Sequence, residues 1–346
     1  MKKLNLSGIG TALSACKHLV VLPGLLIGLA ASAAYQVKDL TAVVAPVTLL
    51  FGINDRGDMV GQAGDDTVSY GFVLRGGTVE KIFDASLGNS FSAQAISNTG
   101  VVAVAVSSAD RPDSLPWTYL YENGTFTLVA EGLYARGISP DGRYLTGLRG
   151  GGSTNLSTFV YDTVDRTYLP AGDGNRYLQD VNSHGIVAGS RLVEDPVTLE
   201  LDMVGTTVDL RTGASKTYRV HQSATGSTYL RGINDQGDLA GRVWDEGGPV
   251  LGFHLSAAGV VERFQAGGSD ETFVEGLNNA GVMVGHYTTA DGGYRAFVAT
   301  PVPEPSTVWM AAAGLLFVGC LVRQRSGRRW EMPASAPRGI GRSSRR

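Results

Sequence analysis

Residues 52–57 read Gly-Ile-Asn-Asp-Arg-Gly, and residues 232–237 repeat them with a single change as Gly-Ile-Asn-Asp-Gln-Gly. Four further variants of this motif occur at residues 95–100, 137–142, 180–185 and 276–281. In each motif an aliphatic residue is followed by Asn or Ser and then by a turn that ends on Gly. Asn, Asp and Ser can hydrogen-bond to the backbone of their own turn, and Gly accepts the positive φ that closes a β-hairpin. The motif therefore predicts six hairpin turns.

The six motifs begin 42 to 52 residues apart, which sets the length of a repeat. In the second repeat, short β-branched and aromatic runs occur at residues 91–96, 101–106, 117–121 and 125–129. The same order of strand signals recurs in the other repeats. Four short strands per unit at this period are typical of a β-propeller blade.

The ends of the repeat region predict how the units close on one another. The last unit has strand signals at 273–277, 282–287 and 294–299, and then stops at Pro301 without a fourth strand. The segment 35–40 supplies a strand that belongs to no other unit. Pairing between the two would remove the free edges of an open array. The sequence thus predicts an all-β, six-bladed propeller over residues 34–301, closed by its N-terminal strand. An open β-solenoid and two packed sandwiches remain alternatives.

The repeats resemble the extracellular HAF-type repeats, in which an aliphatic-Asn-x-x-Gly turn precedes Val-Gly and a later Ala-Phe strand. Residues 52–57 are followed by Val-Gly at 60–61, and residues 276–281 are followed by Val-Gly at 284–285 and by Ala-Phe at 296–297. The resemblance covers about residues 47–300 and implies no particular activity.

The N-terminus carries the features of a signal peptide over residues 1–33. Lys2 and Lys3 precede an apolar run at 19–31, and the small residues Ala-Ser-Ala at 31–33 form a cleavage site. We therefore expect export, with a mature chain that starts at residue 34. An uncleaved N-terminal anchor and a lipoprotein signal that ends at Cys16 remain alternatives.

The C-terminus combines three unlike elements in order. The sequence Val-Pro-Glu-Pro at 302–305 leads into residues 306–322, which contain no charge, and arginines follow at once. The apolar segment predicts a single transmembrane helix over 306–322. Flanking arginines hold their end of a span in the cytoplasm. The basic residues beside the span are Arg323, Arg325, Arg328 and Arg329.

This order of elements resembles the PEP-CTERM sorting domain of Gram-negative bacteria over residues 302–329. The resemblance implies that an exosortase, a membrane cysteine protease, recognises Val302, Pro303, Glu304 and Pro305. It also implies a connection with exopolysaccharide production, so exopolysaccharide or other surface proteins are expected partners. Residues 330–346 extend beyond the usual end of such tails. Their Pro, Ser and Arg content predicts a disordered basic tail.

The composition of residues 34–301 bears on which partners the domain can bind and on whether it contains disulfides. This segment holds 18 Lys and Arg against 30 Asp and Glu, so its net charge is −12. Such a charge argues against nucleic acid as a partner. The two cysteines, Cys16 and Cys320, lie in the terminal segments, which leaves no disulfide for the central domain.

No catalytic motif is recognisable, and no cofactor is expected. The histidines lack the paired spacing that zinc sites need, and neither a Gly-x-Ser-x-Gly elbow nor a cysteine nucleophile occurs in the domain. The acidic turns, Asn54 to Asp58 and Asn234 to Asp238, lack the spacing of calcium loops, so we assign no metal ligand. Two carboxylates that meet across the channel for glycoside hydrolysis remain an alternative.

Two sets of residues are candidates for contact with a ligand. The residue before each turn motif is late on the innermost strand and is expected either to line the channel or to hydrogen-bond between blades; this set is Phe51, Gln94, Arg136, Gln179, Arg231 and Glu275. In the loops of the opposite face, Arg111, Trp244 and Tyr287 are candidate sugar contacts.

The sequence as a whole predicts a non-enzymatic interaction or extracellular-matrix module. It is exported, anchored in the inner membrane with its domain on the periplasmic side, and then processed for the cell surface or the matrix. A carbohydrate-active propeller enzyme and a calcium-dependent adhesin are the alternatives.

Overall fold

The computed structural model describes residues 35–40, 48–64, 68–111, 116–150, 156–170, 176–194 and 201–302. These residues form 24 β-strands and contain no helix, so the predicted all-β fold is confirmed. None of the described segments is a helix with the length and apolarity needed to cross a membrane. The predicted signal peptide, the transmembrane helix over 306–322 and the basic tail lie outside the described residues.

The strands fall into six units that follow the six sequence repeats. Unit 1 consists of β2 (Thr48–Ile53), β3 (Met59–Gly64), β4 (Ser69–Arg75) and β5 (Thr78–Ile82). Unit 2 consists of β6 (Ser90–Ile96), β7 (Val102–Ser107), β8 (Trp117–Glu122) and β9 (Thr125–Ala130). Unit 3 consists of β10 (Leu133–Ile138), β11 (Tyr144–Gly150), β12 (Leu156–Asp162) and β13 (Thr167–Leu169).

The second half of the domain continues the pattern. Unit 4 consists of β14 (Arg176–Val181), β15 (Ile186–Glu194), β16 (Leu201–Asp209) and β17 (Ser215–Tyr218). Unit 5 consists of β18 (Ser227–Ile233), β19 (Leu239–Trp244), β20 (Val250–Leu255) and β21 (Val261–Phe264). Unit 6 consists of β22 (Thr272–Leu277), β23 (Met283–Thr288), β24 (Tyr294–Pro301) and the N-terminal strand β1 (Tyr35–Asp39).

Within each unit four strands pair antiparallel, in sequence order apart from unit 6, and one parallel residue pair each joins β4 to β6 and β16 to β18, which links unit 1 to unit 2 and unit 4 to unit 5. In unit 6, β1 pairs with β24, with Tyr35 opposite Pro301 and Asp39 opposite Phe297. The strand predicted at 35–40 therefore fills the fourth position that the last repeat lacks. Because the pairing protects the edge of β24, the first and last described segments of the chain stabilise each other.

The apolar core lies between the units and not within any one of them. Six buried clusters occur among the described residues, and each joins two successive units. One of these clusters combines Leu50 and Phe72 of unit 1 with Val284 and Ala296 of unit 6. The units thus contact one another in cyclic order, with the last packed against the first.

The Asn of the turn motif has two roles. Asn278 Oδ1 accepts hydrogen bonds from the backbone N–H of Ala280 and Val282, at 3.1 and 2.9 Å, which holds its own turn. Its Nδ2 donates to the carbonyl oxygen of Asn54 at 3.0 Å, in the turn of unit 1. The same cross-unit bond runs from Asn54 to Ser97, from Asn182 to Asn234 and from Asn234 to Asn278.

Where Ser replaces Asn in the motif, the side chain serves only its own turn. The hydroxyls of Ser97 and Ser139 accept from the N–H of Val101 and Tyr144. Unit 2 is instead joined to unit 3 by a backbone bond of 2.7 Å from Asn98 N to the carbonyl of Pro140. The choice between Asn and Ser therefore decides whether a turn has a side-chain link to the next unit.

The substitution Asn278→Asp tests the link between the last turn and the first. Aspartate keeps the acceptor for Ala280 and Val282 but places an oxygen, in place of the Nδ2 donor, against the carbonyl of Asn54. We expect the free energy of unfolding to fall by about 1–3 kcal/mol, because a buried acceptor loses its donor. Urea denaturation measures the change. Asn123→Asp, at an exposed turn with φ 48°, is the matched control and should change stability by less than about 0.5 kcal/mol. Equal effects would contradict the link.

Candidate functional site

The innermost strand of every unit carries a register shift at the same place. In β2, for example, the pairing skips from Leu50 to Gly52, and equivalent shifts occur in β6, β10, β14, β18 and β22. Such a bulge leaves one residue without a partner and turns its side chain in a new direction. The bulged residues are Phe51, Gln94, Arg136, Gln179, Arg231 and Glu275, which we call the polar tier.

The polar tier converges on a central cavity lined by residues of all six units. Arg136 Nε donates to Gln179 Oε1 at 3.1 Å, and Arg136 Nη1 donates to Gln94 Oε1 at 2.9 Å. Arg231 also donates to Gln179 Oε1. Glu275 accepts from Arg136 Nη2 at 3.3 Å and from Arg231 Nη2 at 3.0 Å. The predicted set of six residues is therefore brought together, largely by hydrogen bonds between units.

The charges of this network are held in their ionised forms. Burial acts to raise the pKa of Glu275, but the positive charges of Arg231 and Arg136 outweigh it and hold that pKa below its usual range. Burial lowers the pKa of Arg231 to about 10, which still leaves a cation at neutral pH. Burial also lowers the pKa of His286, beside Glu275, to about 4, so its imidazole is neutral. Two arginines therefore share one glutamate in this network, although the domain as a whole is acidic.

The central cavity is small, at about 40 Å³. A single water molecule needs at least about 10–15 Å³ of such a cavity, so the cavity admits a few water molecules at most. A larger ligand must bind beside the polar tier and not within it.

Aromatic side chains lie two residues before the polar tier in four successive units. They are Tyr134, Tyr177, Tyr229 and Phe273, which we call the aromatic tier, while Leu49 and Ser92 hold this position in units 1 and 2. At about 3.3 Å per residue, the two tiers are about 7 Å apart along the strands. Two pockets, of about 250 and 300 Å³, lie on either side of Tyr229.

Arg242 of β19 lies between these two pockets and lines both. It is paired with Tyr229 across the sheet, and its guanidinium is 4.9 Å from the ring centre of Tyr229 and 5.0 Å from that of Phe273 in the next unit. The nearest carboxylate is Glu275, whose Oε1 is 4.0 Å away. The side chain of Arg242 is 25% exposed and that of Glu275 is 5% exposed, so Arg242 lies at the solvent-facing edge of the buried network.

Of the three predicted sugar contacts, Arg111 lies in a loop as expected, but Trp244 is the last residue of β19 and Tyr287 lies within β23, so the loop prediction was wrong for these two. Trp244 lines the larger pocket, with Tyr229 and Arg242. Arg111 stacks on Trp117, with 3.8 Å between its guanidinium and the ring centre. Tyr287 is 7% exposed, and its hydroxyl donates to Asp39 Oδ2 at 2.9 Å. The structure therefore brings Trp244 alone of the three to the aromatic tier.

Val302 is exposed at the end of the described residues. Pro303, Glu304, Pro305 and the arginines after the apolar segment lie outside them. Sequence reasoning missed Arg242 and the aromatic tier. A signal was present, because an aromatic residue recurs two positions before the pre-turn residue in four successive repeats.

The carboxylates of the acidic turns accept hydrogen bonds from N–H donors of the protein. Asp58 Oδ2 accepts from Asn54 Nδ2 at 3.1 Å and from Arg56 Nε at 3.2 Å. Asp238 accepts from Asn234 Nδ2 at 3.1 Å and from the backbone N–H of Ala257 at 2.8 Å. Across the described ranges, no group of three or more His, Cys, Asp or Glu side chains could hold a metal ion.

Asp180 holds the first position of its turn motif, where the other units have Gly or Ala. Its Oδ2 accepts from the N–H of Ile233 at 3.0 Å, in unit 5. A Cβ at Gly137, in unit 3, would lie 2.7 Å from the Cα of Asp180, so only glycine fits there. Burial raises the pKa of Asp180 to about 7, although two backbone N–H donors act against it.

This pKa makes stability depend on pH. The ordinary value of an aspartate is about 3.9, so the contribution of Asp180 is complete below about pH 4 and is lost as the pH rises through 7. Asp180→Asn keeps an acceptor for Ile233 and removes the titration. Its free energy of unfolding relative to the wild type should therefore increase by on the order of 2 kcal/mol between pH 5 and pH 8, which melting curves at the two pH values measure. Asp110→Asn, on an exposed loop, should show no such trend. A pH-independent difference for Asp180→Asn would contradict the assignment.

Comparison with known proteins identifies the C-terminal signal. Residues 301–326 match the family model described as the PEP-CTERM protein-sorting motif, which confirms the predicted sorting resemblance. A motif of this kind is a substrate signal for exosortase-type processing and implies export. The match covers 26 residues and does not extend into the repeats before Pro301.

No curated protein matches this chain. Among solved structures, TolB from Acinetobacter baumannii is similar with 13% identity and a TM-score of 0.48, over 71% of this chain and 64% of that chain. A triple arginine-to-alanine mutant of AofleA from Arthrobotrys oligospora is similar with 10% identity and a TM-score of 0.41, over 78% of this chain and 84% of that chain.

Proposed function

We propose that the chain is an exported, non-enzymatic binding module of the cell envelope. Its repeats, which resemble the HAF type, would form a six-bladed β-propeller, held at the inner membrane by the segment 306–322 until an exosortase processes the sorting signal. The released domain would then act at the cell surface or in the extracellular matrix. The observation that carries this proposal is the sorting motif at residues 301–326, which begins on the last residue of β24.

The contacts between units support a propeller over a solenoid or sandwich. In a solenoid the first and last units have no reason to meet. Here a buried cluster, a strand pair and a turn-to-turn hydrogen bond each join unit 1 or the N-terminal strand to unit 6.

The small volume of the central cavity and the ion pairs of Glu275 favour a binding role over catalysis. The carboxylates of this cavity have pKa values displaced in opposite directions, upward for Asp180 and downward for Glu275, a pattern that acid–base pairs in enzymes also show. This is the best support for the alternative, a carbohydrate-active enzyme. Against it, a cavity of about 40 Å³ cannot admit a glycosidic bond, and Glu275 is occupied by two arginines.

A calcium-dependent adhesin is the less supported alternative. The turn carboxylates that suggested it face amide and guanidinium donors, which compete with a cation for the same oxygens.

Processing at the sorting signal can be followed with an epitope tag after residue 346. In a host that contains an exosortase, we expect the wild-type chain to lose the tag and the domain to leave the membrane fraction. The double substitution Pro303→Ala and Pro305→Ala should keep the tag, because it removes the recognised residues. Glu331→Ala, beyond the matched residues 301–326, is the control and should be processed normally. Retention of the tag by the wild type, in a host that processes another sorted protein, would contradict the proposal.

The absence of catalysis is tested by incubating the full chain, purified in detergent, with neutral and acidic polysaccharides. We expect the release of reducing ends to stay at the level of the heat-inactivated protein. The Asp180→Asn variant provides the control for a true activity. Hydrolysis by the wild type that Asp180→Asn abolishes would replace the binding module by an enzyme.

A further inference from the structure

Arg242 is placed as an anion receptor, because its one ion pair among the described residues is a long one, to Glu275. Its guanidinium is held between two aromatic rings, and the described residues offer its nitrogens only Glu275 Oε1, at 4.0 Å, beyond hydrogen-bond range. Arg136 and Arg231, by contrast, are hydrogen-bonded within the polar tier. A guanidinium presents five donors in a planar fork. Contact with the two rings therefore restrains this fork while its donors remain available.

The electrostatic surroundings favour a negative ligand. Arg136, Arg231 and Arg242 are all ion-paired with the one carboxylate of Glu275; Asp55 and Asp180 also line the central cavity, and burial raises the pKa of Asp180 to about 7. His286, which stacks on Phe273 with 5.1 Å between ring centres, is neutral and adds no charge. Two buried atoms near this network, Arg231 Nε and His286 Nδ1, have no hydrogen-bond partner in the described part of the chain. A carboxylate beside Arg242 would balance the excess positive charge, and buried charges are stable only when balanced.

The walls of the two pockets indicate what carries that carboxylate. Tyr177, which is 40% exposed, lines the smaller pocket, and Phe273 and Trp244 line the larger one. Aromatic rings offer broad apolar surfaces and, in Tyr and Trp, a polar group at the edge. The flat faces of sugar rings match such surfaces. The exposed carboxylate of Glu271, at the larger pocket, can accept hydrogen bonds from sugar hydroxyls.

We propose that the two pockets lined by Arg242 and the aromatic tier bind a carboxylate-bearing sugar residue of an anionic polysaccharide. The carboxylate lies in the fork of Arg242, which matches its planar geometry with two parallel hydrogen bonds. Pockets of about 250 and 300 Å³ on either side leave room for a sugar residue in each, so that the chain passes over the guanidinium. This inference rests on the proposed binding function and names its ligand class.

Trigalacturonic acid is a suitable probe, and in its trimethyl ester each negative carboxylate is replaced by a neutral methyl ester on the same sugar chain. Calorimetry with the full chain in detergent should show binding of the acid and at least tenfold weaker binding of the ester. Arg242→Gln should weaken binding of the acid at least tenfold. Arg242→Lys keeps the positive charge but not the planar fork of donors, so its affinity for the acid should lie between those of the wild type and Arg242→Gln. Arg149→Gln is the control, because Arg149 also lies over an aromatic ring, that of Tyr168, but lines neither pocket.

Melting temperatures of the variants show whether they are folded, and Phe273→Leu supplies a second test that leaves Arg242 intact. It should weaken binding because the larger pocket loses one of its three aromatic rings and Arg242 loses one of the two rings that it contacts. The inference is overturned by equal binding of the acid and the ester, by full binding to Arg242→Gln, or by the absence of binding to the wild type. Equally tight binding of triglutamate would point to an acidic peptide and would also overturn it. If the probe does not bind but the epitope tag is lost normally and no polysaccharide is hydrolysed, this inference is wrong and the proposed function stands. Hydrolysis of the probe would instead refute the proposed non-enzymatic function.

Discussion

Every sheet of this domain is apolar on both faces, and the rest of the structure depends on that constraint. Strand β7 shows it most clearly. Val102, Val104 and Val106 pack in the cluster shared with unit 1, while Ala103 packs in the cluster shared with unit 3. Because successive side chains of a strand point to opposite faces, such a strand requires a neighbour on each side. A unit at the end of an open stack would leave one of these faces in water.

The contact between units 1 and 6 meets this requirement. Phe72 of unit 1 is fully buried in the cluster that contains Val284 and Ala296 of unit 6. Full burial of a phenylalanine contributes about 1.5–3 kcal/mol, so leaving this face uncovered would be costly. The pairing of β1 with β24 adds a second connection between the two ends of the domain. Apolar packing between sheets is thus the main source of stability, and the turn-to-turn hydrogen bonds add to it.

Convergence of the innermost strands has a chemical consequence. Six bulged residues meet where there is little space, as the close approach of Gly137 to Asp180 illustrates. Charged groups that lose water must find partners, and here Arg136 and Arg231 find the same glutamate and the same glutamine. The compactness of this network leaves Arg242, one strand further out, at its edge. The difference between an arginine that stabilises the fold and one that can receive a ligand is therefore one of position and not of residue type.

The hairpin turns, most strand positions and the terminal strand that fills the last repeat could be predicted from the amino-acid sequence. Those features depend on interactions within a few residues, such as the Asx hydrogen bonds of Asn278 and the alternation of side chains along a strand. Three features depend on how the units pack and could not be predicted: Asn278 also bonds to Asn54, the pre-turn residues are bulged, and Arg242 lies against Phe273 of the next unit. Each of these depends on where one sheet lies relative to another, and that is set by packing between repeats, which no single repeat encodes.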